Sequence, residues 1–329
     1  MNYKKVLKMK AATREKYCTP DKLIVQEVPK PEIKDDEILV RIHYTTVNRT
    51  DVGVITGLPK IFRLFAGFPN PKFNITGTDF SGVIEAIGSR IKNYKVGDRV
   101  FGFHDSGIPT HAEYIAISSK IPFSIIPENT NFEDAVASLE CAHYAYNFLK
   151  KIDLNSSKTA FVNGGTGAIG SAMIQFLKNK GVHVDASSRK EHIEVVHKLG
   201  ADKVFDYQNE DFTNQDKKYD YVLDSVGKSS FGECKKILKD KGVYISSELG
   251  PNNENLYLPF TTLFSSKKLI FPFPSDVPGS IELMSKLLRD NKFKPLIDKT
   301  FELDEISNAF NYVMSEQKVG NVLIKIIKE

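Results

Sequence analysis

Tryptophan is absent from this 329-residue chain and cysteine is scarce: Cys18, Cys141 and Cys234 are the only three, and no CxxC pair occurs. That spacing excludes a disulfide framework and a multi-cysteine zinc knuckle, and it fits reduced thiols in a cytosolic compartment. Long apolar runs are missing too, and the start, MNYKKVLKMKAA, has no apolar core followed by a small-residue cleavage pattern. The expectation is a cytoplasmic protein with no membrane partner. Charge of one sign is nowhere concentrated: 45 Lys+Arg face 41 Asp+Glu for a formal charge of +4, so nucleic acid is not implied. Internal repeats and low-complexity tracts are lacking.

What is present has two rhythms. The pattern EILVRIHYTTV, within Asp36–Val47, alternates apolar and polar residues, and similar β-like stretches recur at Gly82–Ile87, Arg99–Gly102 and Glu113–Ile117. The first third therefore reads as a small β-barrel or meander. Pro59, Pro69 and Pro71 interrupt Gly57–Phe73, a loop or lid in which IFRLF can form a short helix. After Pro127, Asn131 caps the helix NFEDAVASL, with Asp134 three residues on.

From there strands and helices alternate. Strands are predicted at Thr159–Asn163, Val182–Ser187, Lys203–Phe205, Tyr219–Leu223, Gly242–Ser246 and Lys268–Phe271, with helices such as Ala172–Lys180 and His192–Leu199 between them. This is the rhythm of an α/β fold with a doubly wound parallel Rossmann sheet. Helices near Gly279–Asp290 and Asp304–Met314 and strands at Ile297–Phe301 and NVLIKII close the chain. The expected division is a nucleotide-binding domain over 126–271 inserted into a β-rich substrate domain made of 1–125 and 272–329.

The most specific signal is KTAFVNGGTGAIGSAMIQFLKNKG, where an apolar strand runs through a GxGxxG fingerprint, Gly165, Gly167 and Gly170, into an amphipathic helix. Gly165 is expected to permit the tight turn, Gly167 to let backbone approach a pyrophosphate, and Gly170 to allow close helix packing. Thr166, Ala168 and Ile169 complete the phosphate-facing turn, and the helix N-terminus attracts the anion. The alternative is a Gly-rich turn without a ligand.

Cofactor choice is read at the tip of the second strand, HVDASSRK. Asp185 comes too early to meet a ribose, whereas Ser188, Arg189 and Lys190 are donors suited to a 2′-phosphate, so NADPH is favoured over NADH. Gly227 and Gly250 follow the fourth and fifth strands, at carboxyl ends where an open sheet binds its ligand, and are expected on the nicotinamide side.

Taken in order, TTVNRTD, GTDFSGVIEAIG, VGDRVFG, GGTGAIG, LGADKVFDY, YDYVLDSVG, KGVYIS and VGNVLIKI resemble the zinc-independent, quinone oxidoreductase-like branch of the medium-chain dehydrogenase/reductase superfamily over nearly the whole length. The resemblance implies a GroES-like fold for the β-rich domain and a homodimer paired through the Rossmann sheet edge near the sixth strand. It places Tyr207 near the adenosine phosphate. It places Asn48 beside the nicotinamide and substrate, although an Asn there also serves to hold a loop turn. Relatives often carry a basic residue after the final Gly; here Asn321 follows Gly320.

Zinc alcohol dehydrogenases of the superfamily carry a catalytic Cys and His in the segments resembling NRTD and GTD. Here Asn48 and Thr78 stand there, and a third position near Glu140 and Cys141 cannot by itself assemble the three ligands of a catalytic zinc. No metal site is expected, and His104, His111 and His143 read as structural or solvated. The linking helix LECAHYAYNFL places Glu140, His143 and Tyr144 on one face by i,i+3 and i,i+4 spacing, either a proton relay with Tyr144 as donor or a polar cluster at a domain seam.

Without a Lewis acid, quinones and α,β-unsaturated carbonyls are the fitting acceptors, because their developing charge is delocalised onto an oxygen that needs only hydrogen-bond donors, each worth roughly 2.7 to 4 kcal/mol. The expected function is NADPH-dependent reduction of such compounds. A zinc-independent alcohol or carbonyl dehydrogenase and a non-catalytic NADPH-binding protein are the alternatives.

Overall fold

The computed structural model describes residues 6–327 apart from 61–62, 119, 247, 251–252 and 263–264. It divides into two compact units, one made of the residues up to Glu140 and from Val277 onward, the other of Cys141–Asp276.

Along the first unit come β1 (Lys8–Thr13), β2 (Ile24–Pro29), β3 (Glu37–Val47), α1 (Arg49–Thr56), α2 (Arg63–Ala66), β4 (Asp79–Ile87), β5 (Arg99–Phe103), β6 (Tyr114–Ser118), β7 (Phe123–Ile125) and α3 (Phe132–Ala137). α4 (Leu139–Leu149) carries the chain into the second unit. There β8 (Thr159–Asn163), α5 (Ala168–Asn179), β9 (His183–Ser188), α6 (Ile193–Lys198), β10 (Lys203–Asp206), β11 (Tyr219–Asp224), α7 (Phe231–Cys234), β12 (Leu238–Ser246), α8 (Glu254–Thr261) and β13 (Lys268–Ile270) follow. α9 (Val277–Arg289), β14 (Ile297–Glu302), α10 (Ile306–Met314) and β15 (Asn321–Lys325) return to the first unit.

In the first unit a seven-stranded sheet runs β14-β15-β3-β4-β5-β7, with β6 also on β3. The pairs are antiparallel except β14–β15. β3 is long enough to serve two partners besides β4: residues 37–41 pair with β6 and 44–47 with β15. Ile38, Val40 and Ile42 of β3 bury their side chains in a core with Phe80, Ile84, Val100, Ile306 and Phe310. At about 25 cal/mol per Å² of apolar surface removed from water, such side chains each contribute about 1.5 to 3 kcal/mol, and that burial holds the sheet and α10 together.

The expected boundary at 125/126 lies earlier than the observed one. α3 packs on β3, β4 and β15, so the helix capped by Asn131, whose Oδ1 accepts from the Asp134 amide at 2.6 Å, stays with the first sheet. Of the short helix expected over IFRLF, Ile61 and Phe62 lie outside the described residues; Arg63–Ala66 form α2.

The second unit is a parallel six-stranded sheet in the order β10-β9-β8-β11-β12-β13. The order reverses between β8 and β11, and at such a switch point an open α/β sheet leaves a crevice beyond the strand carboxyl ends. α5 is helical because its apolar residues recur on one face: Ala172, Met173, Phe176 and Leu177 are buried against the sheet. Among the described residues no helix is long and apolar enough to cross a membrane.

Candidate functional site

The fingerprint joins β8 to α5 at the switch point. Its strained residue is Gly164, at φ +88°, and not Gly165 as expected; the turn takes the left-handed backbone one residue earlier. Gly165 is instead confined by packing, since a Cβ there would sit 3.0 Å from Val196 and 3.2 Å from Ala186. A Cβ on Gly170 would lie 2.1 Å from the Gly164 carbonyl oxygen, so only glycine lets α5 approach its own turn this closely. Gly167 is the N-cap of α5, no side chain caps the helix, and its first turn holds no acid. Uncapped amides and the helix dipole both favour an anion at such a terminus. These residues fit a dinucleotide pyrophosphate.

A buried polar chain braces the crevice across three strand tips. Asp224, ending β11, accepts from the amides of Val226 and Gly227 at 3.1 Å each, from Asn163 Nδ2 at 3.1 Å and from the Tyr244 hydroxyl at 2.9 Å. Asn163 Oδ1 accepts from Ser187 Oγ at 2.6 Å, and Ser187 Oγ accepts from the Gly164 amide at 3.0 Å. Burial raises the Asp224 carboxyl above its ordinary range, and the donors around it act in the opposite direction. Gly227, at φ +70°, sits in the loop this aspartate holds, and Gly250 follows β12.

At the adjacent tip, Arg189 Nε donates to the Tyr207 hydroxyl at 3.0 Å and the Tyr207 amide donates to the Ser188 carbonyl at 3.2 Å. Lys190 is exposed beside them. Ser188 departs from its expected role as a side-chain donor: it is fully buried and its hydroxyl donates to the Arg189 carbonyl at 2.9 Å. Asp185 is committed elsewhere, accepting from Tyr219 Oη and Lys217 Nζ at 2.6 Å each and standing 2.9 Å from His183 Nε2. Asp185, the one carboxylate of β9, is thus bonded within the sheet three residues before the strand's end.

In the first unit Asn48 is the N-cap of α1 and is 1% exposed. Its amide nitrogen donates to Asp51 Oδ2 at 2.9 Å, one half of a capping box, and its Nδ2 donates to Thr46 Oγ1 at 2.6 Å. The orientation of the side-chain amide is forced. The Thr46 hydroxyl donates to Asp79 Oδ2 at 2.6 Å, so its oxygen has only acceptor capacity left, and the NH₂ of Asn48 must face it. The Oδ1 lies toward the Asp51 amide, the other half of the box, without closing a hydrogen bond. The Oδ1 is buried without a hydrogen-bond partner among the described residues.

Behind Asn48 lie three buried carboxyls that sequence reasoning did not assemble. Burial pushes Glu140 up to about 7 and Asp79 up to about 6. Asp51, buried beside Asp79 and Glu140, is raised well above the usual carboxylate range. Thr50 bonds to Glu140, and Lys318 partly offsets its burial. The signals that point to them are local: Asp51 lies three residues after Asn48, and Asp79 opens the apolar strand β4. Among the described residues no group of three or more His, Cys, Asp or Glu side chains is arranged to hold a metal ion.

His111 is fully buried with both ring nitrogens partnered, by Thr76 Oγ1 at 2.7 Å and the Thr46 carbonyl at 2.9 Å. Burial lowers it to about 4, which leaves it neutral and structural. Tyr144 is half-buried on α4, its ring edge-on to His143 with centroids 5.7 Å apart. Asn48 and Glu140 fall in the first unit and Tyr144 in the second. Asn321 is buried, its Nδ2 donating to the Leu296 carbonyl at 3.0 Å, an interior tie of the first unit.

Residues 34–120 match the alcohol dehydrogenase GroES-like domain and residues 199–324 the zinc-binding dehydrogenase domain. A 2-methylene-furan-3-one reductase of Solanum lycopersicum is 30% identical over 96% of this chain and 79% of its own length. A chloroplastic quinone-oxidoreductase homolog of Spinacia oleracea is 28% identical over 91% of this chain and 92% of its own. The quinone oxidoreductase structure from Coxiella burnetii superposes with a TM-score of 0.85 at 23% identity, covering 98% of this chain and all of that one, a likeness of fold. With its GroES-like and Rossmann-type folds, the chain belongs to the zinc-independent, quinone oxidoreductase-like branch of the medium-chain dehydrogenase/reductase superfamily and is an NAD(P)H-dependent oxidoreductase.

Proposed function

We propose that this protein is an NADPH-dependent, zinc-free cytosolic reductase of α,β-unsaturated carbonyl compounds and quinones. The observation that carries the cofactor reading is the uncapped start of α5 over a glycine turn at the switch point, with the Arg189–Tyr207 pair and Lys190 at the neighbouring strand tip. On this reading the turn from Gly165 through Gly170 holds the pyrophosphate, Arg189, Lys190 and Tyr207 hold the 2′-phosphate, and Ser188 shapes that site through its backbone. Gly227 and Gly250 keep the nicotinamide side open to close approach. The remaining polar atoms of Asn48 orient the nicotinamide or substrate. The residues up to about 125 to 140 and beyond about 272 to 277 form the substrate domain.

A bound NADPH supplies the hydride. Its delivery to the β-carbon of an enone leaves an enolate, to which Tyr144 or water returns one proton at the α-carbon, so that hydride plus proton saturate the double bond. The donor set favours acceptors of this kind: Asn48 and Thr78 offer no zinc-ligating group, and the Glu140 carboxyl is buried and bonded to Thr50. The name of the tomato relative supports the enone reading and that of the spinach relative the quinone reading. We propose further that the protein is a homodimer paired through the open edge of β13, the last strand of its sheet.

The test is turnover of NADPH by chelator-treated protein against a benzoquinone, a naphthoquinone, an acyclic enone and a simple ketone. Consumption with the first three and none with the ketone is expected; turnover of the simple ketone or of an alcohol, or loss of activity on chelation, would refute the reading.

A further inference from the structure

From Val52 to Thr78 the chain carries no carboxylate, while Lys60, Arg63 and Lys72 fall within that stretch. The same stretch displays apolar side chains outward: Leu58 is 57% exposed, Leu64 73% and Phe68 77%. Isolated exposed apolar residues need no explanation, but these are gathered by bonds at their base. Arg63 Nε donates to the Gly57 carbonyl at 3.2 Å, which ties the residue before Leu58 to the residue before Leu64. The Gly67 amide donates to the Arg63 carbonyl at 2.9 Å and the Lys72 amide to the Ala66 carbonyl at 2.8 Å, which closes the turn that carries Phe68.

Tyr17 anchors the group from beneath. Its hydroxyl donates to the Gly67 carbonyl, and the guanidinium of Arg63 lies 4.6 Å from the centre of its ring. Lys60 and Lys72 are exposed, and neither has an acidic partner among the described residues. Two hollows of the first unit are lined by other residues.

We propose that this patch docks the protein on anionic lipid membranes as a peripheral contact, without spanning them. Apolar tips ringed by uncompensated cations are the arrangement that enters the headgroup boundary of a bilayer, where each Lys or Arg adds attraction to anionic lipid. A soluble protein partner would need a complementary apolar pocket of its own and gives no reason for the absence of acids from Val52 to Thr78. Apolar quinones and enones partition into bilayers, so docking would bring the proposed activity to its acceptors; the docking itself does not rest on that activity.

Co-sedimentation of the full chain with phosphatidylcholine vesicles, with and without about 30% phosphatidylserine, tests this. The chain should sediment with the anionic vesicles and release at high salt. Lys60→Ala with Lys72→Ala, and separately Leu64→Ser with Phe68→Ser, should each lower binding by roughly tenfold or more at an unchanged melting temperature, because all four side chains face solvent. Binding to neither vesicle, or binding that both double variants retain, would overturn the proposal. So would a concentration-dependent oligomer dissolved by Leu64→Ser with Phe68→Ser in a chain that ignores lipid, which would assign the patch to a second copy.

Discussion

Glu140 carries the sharpest consequence at the scale of single residues. Its carboxyl has an ordinary value of 4.5 in the unfolded chain and about 7 in the fold, because burial beside Asp79 outweighs the help of Thr50 and Lys318. A carboxyl raised by folding stabilises the protein fully below the unfolded value, and that contribution is lost as pH rises through the folded value. Wild type should therefore lose stability relative to Glu140→Gln between about pH 4.5 and 7, by up to about 3 kcal/mol, with Asp79 and Asp51 acting in the same direction in both proteins. Denaturant unfolding of the two proteins at each end of that window checks it. A difference that does not change with pH would contradict the buried cluster. Asn48 depends on the same group of residues, since Asp79 orders Thr46 and Thr46 orders the Asn48 amide.

At the scale of elements, β13 is the open question. It is a three-residue strand at the edge of a parallel sheet, so one row of its backbone groups lacks a partner in that sheet, and Phe273 just beyond it is largely exposed. An edge of this kind is either protected or paired. Light scattering should give about twice the 37.0 kDa chain mass, and Phe273→Asp, which puts a charge on the exposed side chain just beyond this edge, should shift the protein to monomer with its melting curve largely retained. A wild-type monomer would contradict the pairing.

The Rossmann elements were legible because their signals are local: an apolar run, a glycine turn and an amphipathic helix follow one another within β8 to α5. The hidden elements lack such signals. β1, KMKAAT, buries little more than Met9 and two alanines, β2 leaves Ile24 exposed, and α1, RTDVGVIT, holds a glycine and several β-branched residues. The site divides the same way. The fingerprint could be read from spacing, whereas the braces Asn163, Ser187 and Asp224 meet only through sheet order, and the commitment of the Ser188 hydroxyl to backbone has no signature in HVDASSRK.

At the scale of the whole molecule, one chain contributes two kinds of site that stand on different physics. The second unit offers a helix terminus without a side-chain cap, which we propose holds the pyrophosphate, and a cationic strand tip beside it. The first unit offers a buried, hydrogen-bonded Asn48 backed by carboxyls that burial raises above their ordinary range. The central claim is that the first of these selects NADPH and that the chemistry needs no metal. It is tested most directly by kcat/KM for NADPH and for NADH with one enone acceptor, on chelator-treated wild type and on Arg189→Ala with Lys190→Ala. The account predicts a preference of at least about tenfold for NADPH in wild type that the double variant abolishes by losing NADPH efficiency alone, since two charge-assisted contacts to one phosphate are removed. Equal use of both cofactors by wild type, or activity that disappears with the chelator, would contradict it.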